Sequence, residues 1–175
     1  VGNVIGGTAT GAGNVISNNS SFGIRLGAVS DHLIQGNLIG TNAAGTTVVG
    51  TQQIGIAVSS SNSITIGGRT VGARNIISGN VGSGIEIDNF SNGEADFNTV
   101  IEGNYVGLTA DGTTTLGGHS NGGIRMLNGA NGNRVGGTAS GAGNVISGNS
   151  NAAISISTKN NLVQGNLIGT DPSGT

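Results

Sequence analysis

The sequence has little of several things that most globular proteins use. Its 175 residues include no Cys, one Pro, 2% aromatic residues and 8% charged residues, whereas an average domain carries about 25% charged residues. Without Cys, neither disulfide bonds nor thiolate metal sites can form. With six Lys and Arg and a formal net charge of -2, the chain has no basic patch for nucleic acid or an anionic membrane surface. Composition therefore argues against nucleic acid as a partner.

Long apolar runs are also absent. No stretch approaches the ~18 apolar residues of a membrane-spanning helix, so we expect no membrane insertion, and Val1-Gly2-Asn3 does not begin a signal peptide. Both ends fall inside a repeated phrase, so we expect a single domain, residues 1–175, taken from a longer repeat array. Disorder is disfavoured because Ile and Val are abundant. Collagen is excluded because the 36 Gly do not recur every third residue.

What the sequence does contain is repetition. A phrase Asn-x-(Ile/Val) occurs six times, with Gly before the Asn in five copies and Arg74 in the other. A second phrase, Gly-Ile-x-apolar, recurs at steps of 32, 29, 39 and 30 residues, with Ala in place of Gly in the last copy. A third short apolar stretch lies between the two phrases. The Asn residues are Asn14, Asn37, Asn75, Asn104, Asn144 and Asn166, and the Ile residues are Ile24, Ile56, Ile85, Ile124 and Ile154.

Three short apolar strands in about 30 residues, always in the same order, predict one coil of a solenoid. The alternation of apolar and other residues within each phrase is typical of half-buried strands. We therefore predict an all-β fold, a right-handed single-stranded parallel β-helix of about five to six coils with three short strands each. Its length would be about 25 Å, and like residues would stack on like residues from coil to coil.

The Asn phrase has a physical reason at a corner of such a coil. An Asn turned inward can bond backbone groups or the Asn of the next coil, which satisfies polar groups that would otherwise be buried unpaired. We therefore predict a ladder of the six Asn side chains. Two kinds of coil alternate, one with a tight Gly-Asn corner and one with a longer turn before the Asn. Since the preceding Gly tolerates a positive φ, we predict a different local backbone at Arg74.

The repeated phrases GNxIG and GNVISGN resemble the right-handed parallel β-helix repeat family. Within that family they look most like the repeat arrays of large extracellular bacterial proteins, which are distant fold relatives of pectate lyases, polygalacturonases and phage tailspikes. The resemblance covers essentially the whole chain. It implies the right-handed tube and an extracellular or cell-surface location. It implies no particular activity, because such repeats encode the tube and not a site.

Enzymes with this fold work from the outer face of one sheet, so the outward positions of the Gly-Ile strands are the candidates for chemistry. Three of those positions are charged: Arg25, Glu86 and Arg125. Glu86 and Arg125 lie on consecutive coils and can pair, with Asp88 nearby. A lyase-like or hydrolase-like site would need several clustered Asp, which this face lacks, so we predict no enzymatic activity. The alternative is a polysaccharide lyase, a hydrolase or a glycan-binding β-helix that uses Glu86, Asp88 and Arg125.

Acidic residues cluster in one segment, where five of the eight acids lie within 17 residues. Four of them flank or occupy an insertion, 89–97, that lengthens one coil. Hard cations take oxygen ligands from such loops. The one cofactor that the sequence suggests is therefore Ca²⁺, with Asp88, Glu94 and Asp96 as candidate ligands.

The two histidines, His32 and His119, have no neighbouring His and no Cys to complete a site. We therefore predict neither a metal centre nor a nucleophilic triad around them.

Taken as a whole, the sequence predicts a structural or adhesive segment of a secreted or cell-surface protein. Open coil ends are strand edges that can pair with another copy, so we expect self-association, end to end or laterally, into a fibre, with polysaccharide as a further candidate partner. Ice binding is a third alternative. It is disfavoured because Thr46, Thr113 and Thr175 would stack only on alternate coils.

Overall fold

The computed structural model of the chain describes residues 2–89 and 95–175, with the backbone alone at residues 95 and 96. Its elements are short strands and one 3-10 turn at Val71–Ala73. Within the described ranges no helix is long and apolar enough to cross a membrane. In chain order the strands are β1 (Val4–Gly6), β2 (Val15–Ile16), β3 (Phe22–Gly27), β4 (Leu33–Gln35), β5 (Leu38–Ile39), β6 (Ile54–Ser59), β7 (Thr65–Gly67), β8 (Ile76–Ile77), β9 (Ser83–Asp88), β10 (Ala95–Asp96), β11 (Val100–Glu102), β12 (Tyr105–Val106), β13 (Gly122–Leu127), β14 (Ala130–Asn131), β15 (Arg134–Gly136), β16 (Val145–Ile146), β17 (Ile154–Ile156), β18 (Leu162–Gln164) and β19 (Leu167–Ile168).

These strands form three long parallel sheets. Sheet 1 has the order β1-β4-β7-β11-β15-β18, sheet 2 has the order β2-β5-β8-β12-β16-β19, and sheet 3 has the order β3-β6-β9-β13-β17. The short strands β10 and β14 pair with each other outside these sheets. Apart from that pair, the chain adds one strand to each sheet in turn, so that β1 to β17 complete five coils and β18 and β19 begin a sixth. The fold is the parallel β-helix of five to six coils that the sequence predicts.

The strand register places like residues on like residues. In sheet 3, Ile24 pairs with Ile56, which pairs with Ile85, and the row continues through Ile124 to Ile154. The side chains of the middle three are fully buried, and burying each contributes about 1.5 to 3 kcal/mol. One apolar core therefore runs along the tube. Two further rows have the same form, Leu26, Val58, Ile87, Met126 and Ile156 in sheet 3, and Ile5, Ile34, Ile66, Ile101, Val135 and Val163 in sheet 1.

The two kinds of coil differ in the backbone of the corner before the Asn. At the tight corners Gly36, Gly103 and Gly165 have φ values of 68°, 70° and 68°, a conformation that Gly adopts without steric cost. Gly13 and Gly143, which end the longer turns, do not have a positive φ. The reason for Gly there is space, because a Cβ would come within 1.9 Å of Gly36 O and 2.0 Å of Gly165 O, respectively. The expectation of a positive φ is therefore right at the tight corners and wrong at the longer turns.

Arg74 occupies the place of these crowded Gly residues, and the backbone around it is different. The 3-10 turn precedes it, and Arg74 N–H donates to Val71 O at 3.2 Å. Gly72 in this turn lacks the positive φ of its counterparts, which is 81° at Gly11 and 77° at Gly141. The predicted difference in local backbone at Arg74 is confirmed. Its physical basis is that a residue with a Cβ cannot follow the path of Gly13 or Gly143.

The loops that follow β5, β12 and β19 lie over the outer face of sheet 2 and contact one another. Ala110 N–H donates to Gly45 O at 2.9 Å, joining the first loop to the second. Gly112 of the second loop packs against Pro172 of the third. Each loop thus reaches across a coil that has no such loop. Beneath the loops lies a second apolar cluster, formed by Ile76, Tyr105, Leu108 and Val145.

Candidate functional site

The six Asn residues of the first phrase form one continuous hydrogen-bonded row, which we call the Asn ladder. Each of the first five Asn residues donates from Nδ2 to Oδ1 of the Asn in the next coil, at 2.8 to 3.0 Å. Its backbone N–H donates to the same oxygen at 2.9 to 3.2 Å. From the second Asn onward, the other Nδ2 proton bonds a carbonyl of sheet 1 in the preceding coil, as Asn104 does to Ile66 O at 2.9 Å. The ladder therefore satisfies both side-chain and backbone groups at the corner.

The Asn ladder has a direction. In every one of its five side-chain links the amide nitrogen lies nearer the N-terminal end of the tube and the oxygen nearer the C-terminal end. The face toward the C-terminal end consequently presents two donors to the next Asn, and the opposite face presents the acceptor Oδ1 beside the second Nδ2 proton. Asn75, Asn104 and Asn144, in the middle of the row, are fully buried, so an unpaired member there would lack water as a substitute partner.

A second polar row, which we call the second ladder, lies at the corner between sheets 2 and 3. Asn19 Nδ2 donates to Gln52 Oε1 at 3.0 Å, and Gln52 Nε2 donates to Asn80 Oδ1 at 2.7 Å. Asn80 Nδ2 lies 3.3 Å from His119 Nε2, and His119 Nδ1 lies 2.6 Å from Asn149 Oδ1. Five side chains from five coils are thus joined by direct hydrogen bonds. The Asn phrase alone does not predict this row.

His119 is the member of the second ladder that can titrate. Its side chain is buried, and burial lowers its pKa below the ordinary value, while the hydrogen bond to Asn149 opposes that shift. Because the amide oxygen of Asn149 can only accept, Nδ1 holds the proton and Nε2 accepts from Asn80. The histidine that looks isolated in the sequence is therefore a neutral linking residue.

The glycines of the Gly-Ile phrase make room for the second ladder. A Cβ at Gly84 would lie 3.0 Å from Val106 Cγ1 and 3.3 Å from His119 Cε1, closer than side chains pack without adjustment. The sequence contains a signal for this row, because a polar residue precedes the phrase at nearly constant distance. The pairs are Asn19 with Gly23, Asn80 with Gly84, His119 with Gly123 and Asn149 with Ala153, four positions apart, and Gln52 with Gly55, three apart.

The corner between sheets 3 and 1 has an interrupted polar row. Thr99 N–H donates to Asn133 Oδ1 at 3.1 Å, and Asn133 Nδ2 donates to Asn161 Oδ1 at 3.1 Å. In the coil before Thr99 the corresponding residue is Ile64, which is fully buried and offers no polar side-chain atom. Thr99 Oγ1 is buried and has no hydrogen-bond partner within the described part of the chain.

On the outer face of sheet 3, Glu86 and Arg125 are direct neighbours in the register of β9 and β13. Arg125 Nη1 donates to Glu86 Oε2 at 3.0 Å, and Ser83 Oγ donates to the same oxygen at 3.0 Å. The Arg125 side chain is 25% exposed, and the Glu86 side chain is 14% exposed. Asp88 is buried and accepts from Asn128 Nδ2 at 2.7 Å. The carboxylates proposed from sequence for glycan chemistry are thus engaged by protein partners.

A further ion cluster lies on the outer face of sheet 1, at Glu102. Arg134 Nη2 approaches Glu102 Oε2 at 2.9 Å, and Arg69 Nε approaches Oε1 at 3.5 Å. Arg69 is more than half exposed, whereas the Glu102 side chain is 10% exposed. The three residues come from three different coils, and their spacing in the sequence alone does not predict that they meet.

The candidate Ca²⁺ ligands stay a prediction. Asp88 lies at the end of β9, Asp96 lies in β10, and Glu94, like the side chain of Asp96, is outside the described residues. Within the described part of the chain, no group of three or more His, Cys, Asp or Glu is placed to hold a metal ion.

The fold and its side-chain ladders define the class of protein, a parallel β-solenoid of stacked repeats. Comparisons of the chain with protein-family models, with curated proteins and with solved structures give no match. The assignment to this class therefore depends on the parallel strand register and on the hydrogen bonds described above.

Proposed function

We propose that the chain is a structural repeat segment, a stiff spacer whose functional part is the tube itself. One observation supports this above all. The Asn ladder runs without interruption from Asn14 to Asn166 and links every coil to the next. A scaffold with a single active site requires special residues in one or two coils, whereas here the same bonding recurs in all of them.

Stiffness follows from the number of bonds between neighbouring coils. Adjacent coils are joined by backbone hydrogen bonds in the long sheets and by side-chain bonds at the corners. Bending the tube would have to lengthen bonds on one side at all of these positions together. In a solenoid each repeat contacts chiefly its neighbours, so resistance to force is shared along the axis.

Single-molecule force spectroscopy on a chain held at both ends tests this role. Each coil of 29 to 39 residues would release about 100 to 140 Å of chain, so we expect steps of that size. Asn104→Ala should lower the force of the steps next to its coil, while Asn14→Ala, at the start of the ladder, should leave them unchanged. Smooth extension at the low force of an unfolded chain would overturn the proposal.

We further propose that such segments stack on one another and act outside the cell, as part of a fibre or an adhesive surface. The donor face and the acceptor face of each coil are complementary, which favours stacking in the register of the Asn ladder. The extracellular location is supported by the resemblance of the repeated phrases. Electron microscopy of the purified chain at modest concentration should show fibres with an axial repeat of about 4.8 Å. Discrete short rods at all concentrations would overturn stacking, without bearing on the mechanical role.

A further inference from the structure

His119 connects a run of three amide side chains to one further Asn in the second ladder. On one side are Asn19, Gln52 and Asn80, each donating toward the histidine. On the other side is Asn149, which accepts from His119 Nδ1 at 2.6 Å. The backbone N–H of His119 also donates to Asn80 O at 2.6 Å. The imidazole is therefore the one link of the ladder whose hydrogen-bonding pattern depends on pH.

A second proton on His119 is incompatible with the bonds that are present. In the neutral ring Nε2 accepts from Asn80 Nδ2, but in the imidazolium Nε2 becomes a donor and the two N–H groups oppose each other. Asn80 could present its oxygen only by turning its amide. Its Nδ2 would then face Gln52 Nε2, and Gln52 would have to turn in the same way.

Within the described part of the chain, no charged side chain bonds the His119 imidazole. The side chains that bond His119 from the coils on either side are the neutral amides of Asn80 and Asn149. The charged side chains on β9 and β13, which pack beside it, are engaged elsewhere: Glu86 pairs with Arg125, and Asp88 accepts from Asn128.

We propose that His119 is a pH-sensitive lock, which closes the second ladder when neutral and opens it between Asn80 and His119 when protonated. The opening loosens the contact between the coil of Asn80 and that of His119. The ladder is complete at neutral pH, so the lock weakens the tube specifically in acid. This device goes beyond the spacer role and does not depend on it.

The direction of the pH effect follows from proton linkage. Burial holds the pKa of His119 in the folded chain below its ordinary value, while in the unfolded chain it is about 6.5. Above that value neither state binds the proton, and the full stability is present. As the pH falls below it, the unfolded chain binds a proton that the folded chain does not, so the folded state loses stability until the folded pKa is passed.

Urea unfolding of the purified chain between about pH 7.5 and pH 5 tests the lock. The folding equilibrium constant should fall by up to about tenfold per pH unit, the limit for uptake of one proton. His119→Asn should abolish most of this dependence. His32→Asn is the matched control, because His32 is the chain's other histidine and bonds near the surface to Asn3 and Ser30. An unchanged pH dependence in His119→Asn, or its loss in His32→Asn, would overturn the proposal.

Two measurements on the unaltered chain keep the test decisive if His119→Asn does not fold. Imidazole NMR should show His119 still in the neutral Nδ1–H form below about pH 6.5, the ordinary pKa of histidine. Hydrogen exchange, corrected for intrinsic rates, should increase in acid at Ser120 and Asn121, whose N–H groups donate to Val81 O and Gly82 O. Titration of His119 at that ordinary pKa, with no local change in exchange, would contradict the lock.

Discussion

At the scale of single residues, the tube depends on side chains that both donate and accept. Asn has two N–H groups and one oxygen on a short side chain, so one residue can bond the coil before it, the coil after it and a backbone carbonyl. Asn104 makes all of these bonds. Thr99, with a single hydroxyl above Ile64, leaves its Oγ1 unsatisfied within the described part of the chain. The ladders thus make individual corner residues unequal in their contribution to stability.

Replacing Asn104 by Ala should be strongly destabilising. It would remove acceptors and donors at a fully buried corner, and each buried polar group left unpaired costs about 1 to 3 kcal/mol. We expect the free energy of unfolding, measured in urea, to fall by about 3 kcal/mol or more. The control is Asn14→Ala, because Asn14 is exposed. An equal loss in both variants would contradict the ladder's role.

Replacing Thr99 by Val should stabilise the protein. Val has nearly the shape of Thr, and the change removes a buried hydroxyl that has no partner. Relief of that desolvation cost should raise the free energy of unfolding by about 1 kcal/mol, seen as a higher urea midpoint. Thr41→Val is the matched control, since Thr41 is equally buried but its Oγ1 donates to Asn42 O at 3.2 Å. A higher free energy of unfolding in Thr41→Val, with no change in Thr99→Val, would contradict this explanation.

At the scale of elements, equivalent residues of successive coils set the strand register. Turns accommodate the residues that depart from the repeat. The 3-10 turn before Arg74 is one such case, because Arg74 stands where a Gly ends the longer turn in the first coil, and a Cβ at Gly13 would come within 1.9 Å of Gly36 O. The guanidinium then lies 3.9 Å from the centre of the Tyr105 ring on the next coil, a favourable cation–π distance. A change in one element is thus compensated by its neighbour in the stack.

The Glu86–Arg125 pair, which joins β9 and β13, should behave as a modest structural ion pair. Because both side chains are partly exposed, a double-mutant cycle with Glu86→Ala and Arg125→Ala should give a coupling energy of about 1 kcal/mol or less.

Polyuronate with Ca²⁺ should yield no unsaturated product in the presence of the unaltered chain. Product formation that Glu86→Gln abolishes would favour the enzyme alternative instead.

At the scale of the whole molecule, the tube is close to one-dimensional. The Asn ladder and the sheets join each coil to the next. Contacts that reach two coils away lie in the outer loops, as Ala110 does to Gly45, and in the longer turns, as Gly141 does to Arg69. In such a chain, stability is approximately a sum over repeats and over the interfaces between neighbours. A local defect should therefore have a local effect.

Hydrogen exchange in the Asn104→Ala variant measures how far a defect spreads. We expect the largest loss of protection in β8, β12 and β16, which flank the altered corner. Little change is expected in β2, two coils further away. Uniform loss of protection along the chain would show one global cooperative unit and contradict the nearest-neighbour description.

Much of the fold follows from the sequence alone. Repeated phrases predict the strand rows, since parallel stacking can bury Ile24, Ile56 and Ile85 together only if equivalent positions face the same interior. The same logic predicts the Asn ladder and the altered backbone at Arg74. These features are local and periodic, and a periodic repeat of residue types can be read directly from the sequence.

Only the tertiary structure decided which dissimilar residues share a corner. Asn19, Asn80 and Asn149 each follow a member of the Asn ladder by five residues. Gln52 and His119 are different residues at the same corner, so the repeat alone does not predict a continuous second ladder. The orphan hydroxyl of Thr99 depends on Ile64 being its neighbour one coil away. Burial and hydrogen-bond partners are properties of contacts between coils. The sequence determines the tube, and the stacking of unlike residues within it determines where the tube is strong and where protons can weaken it.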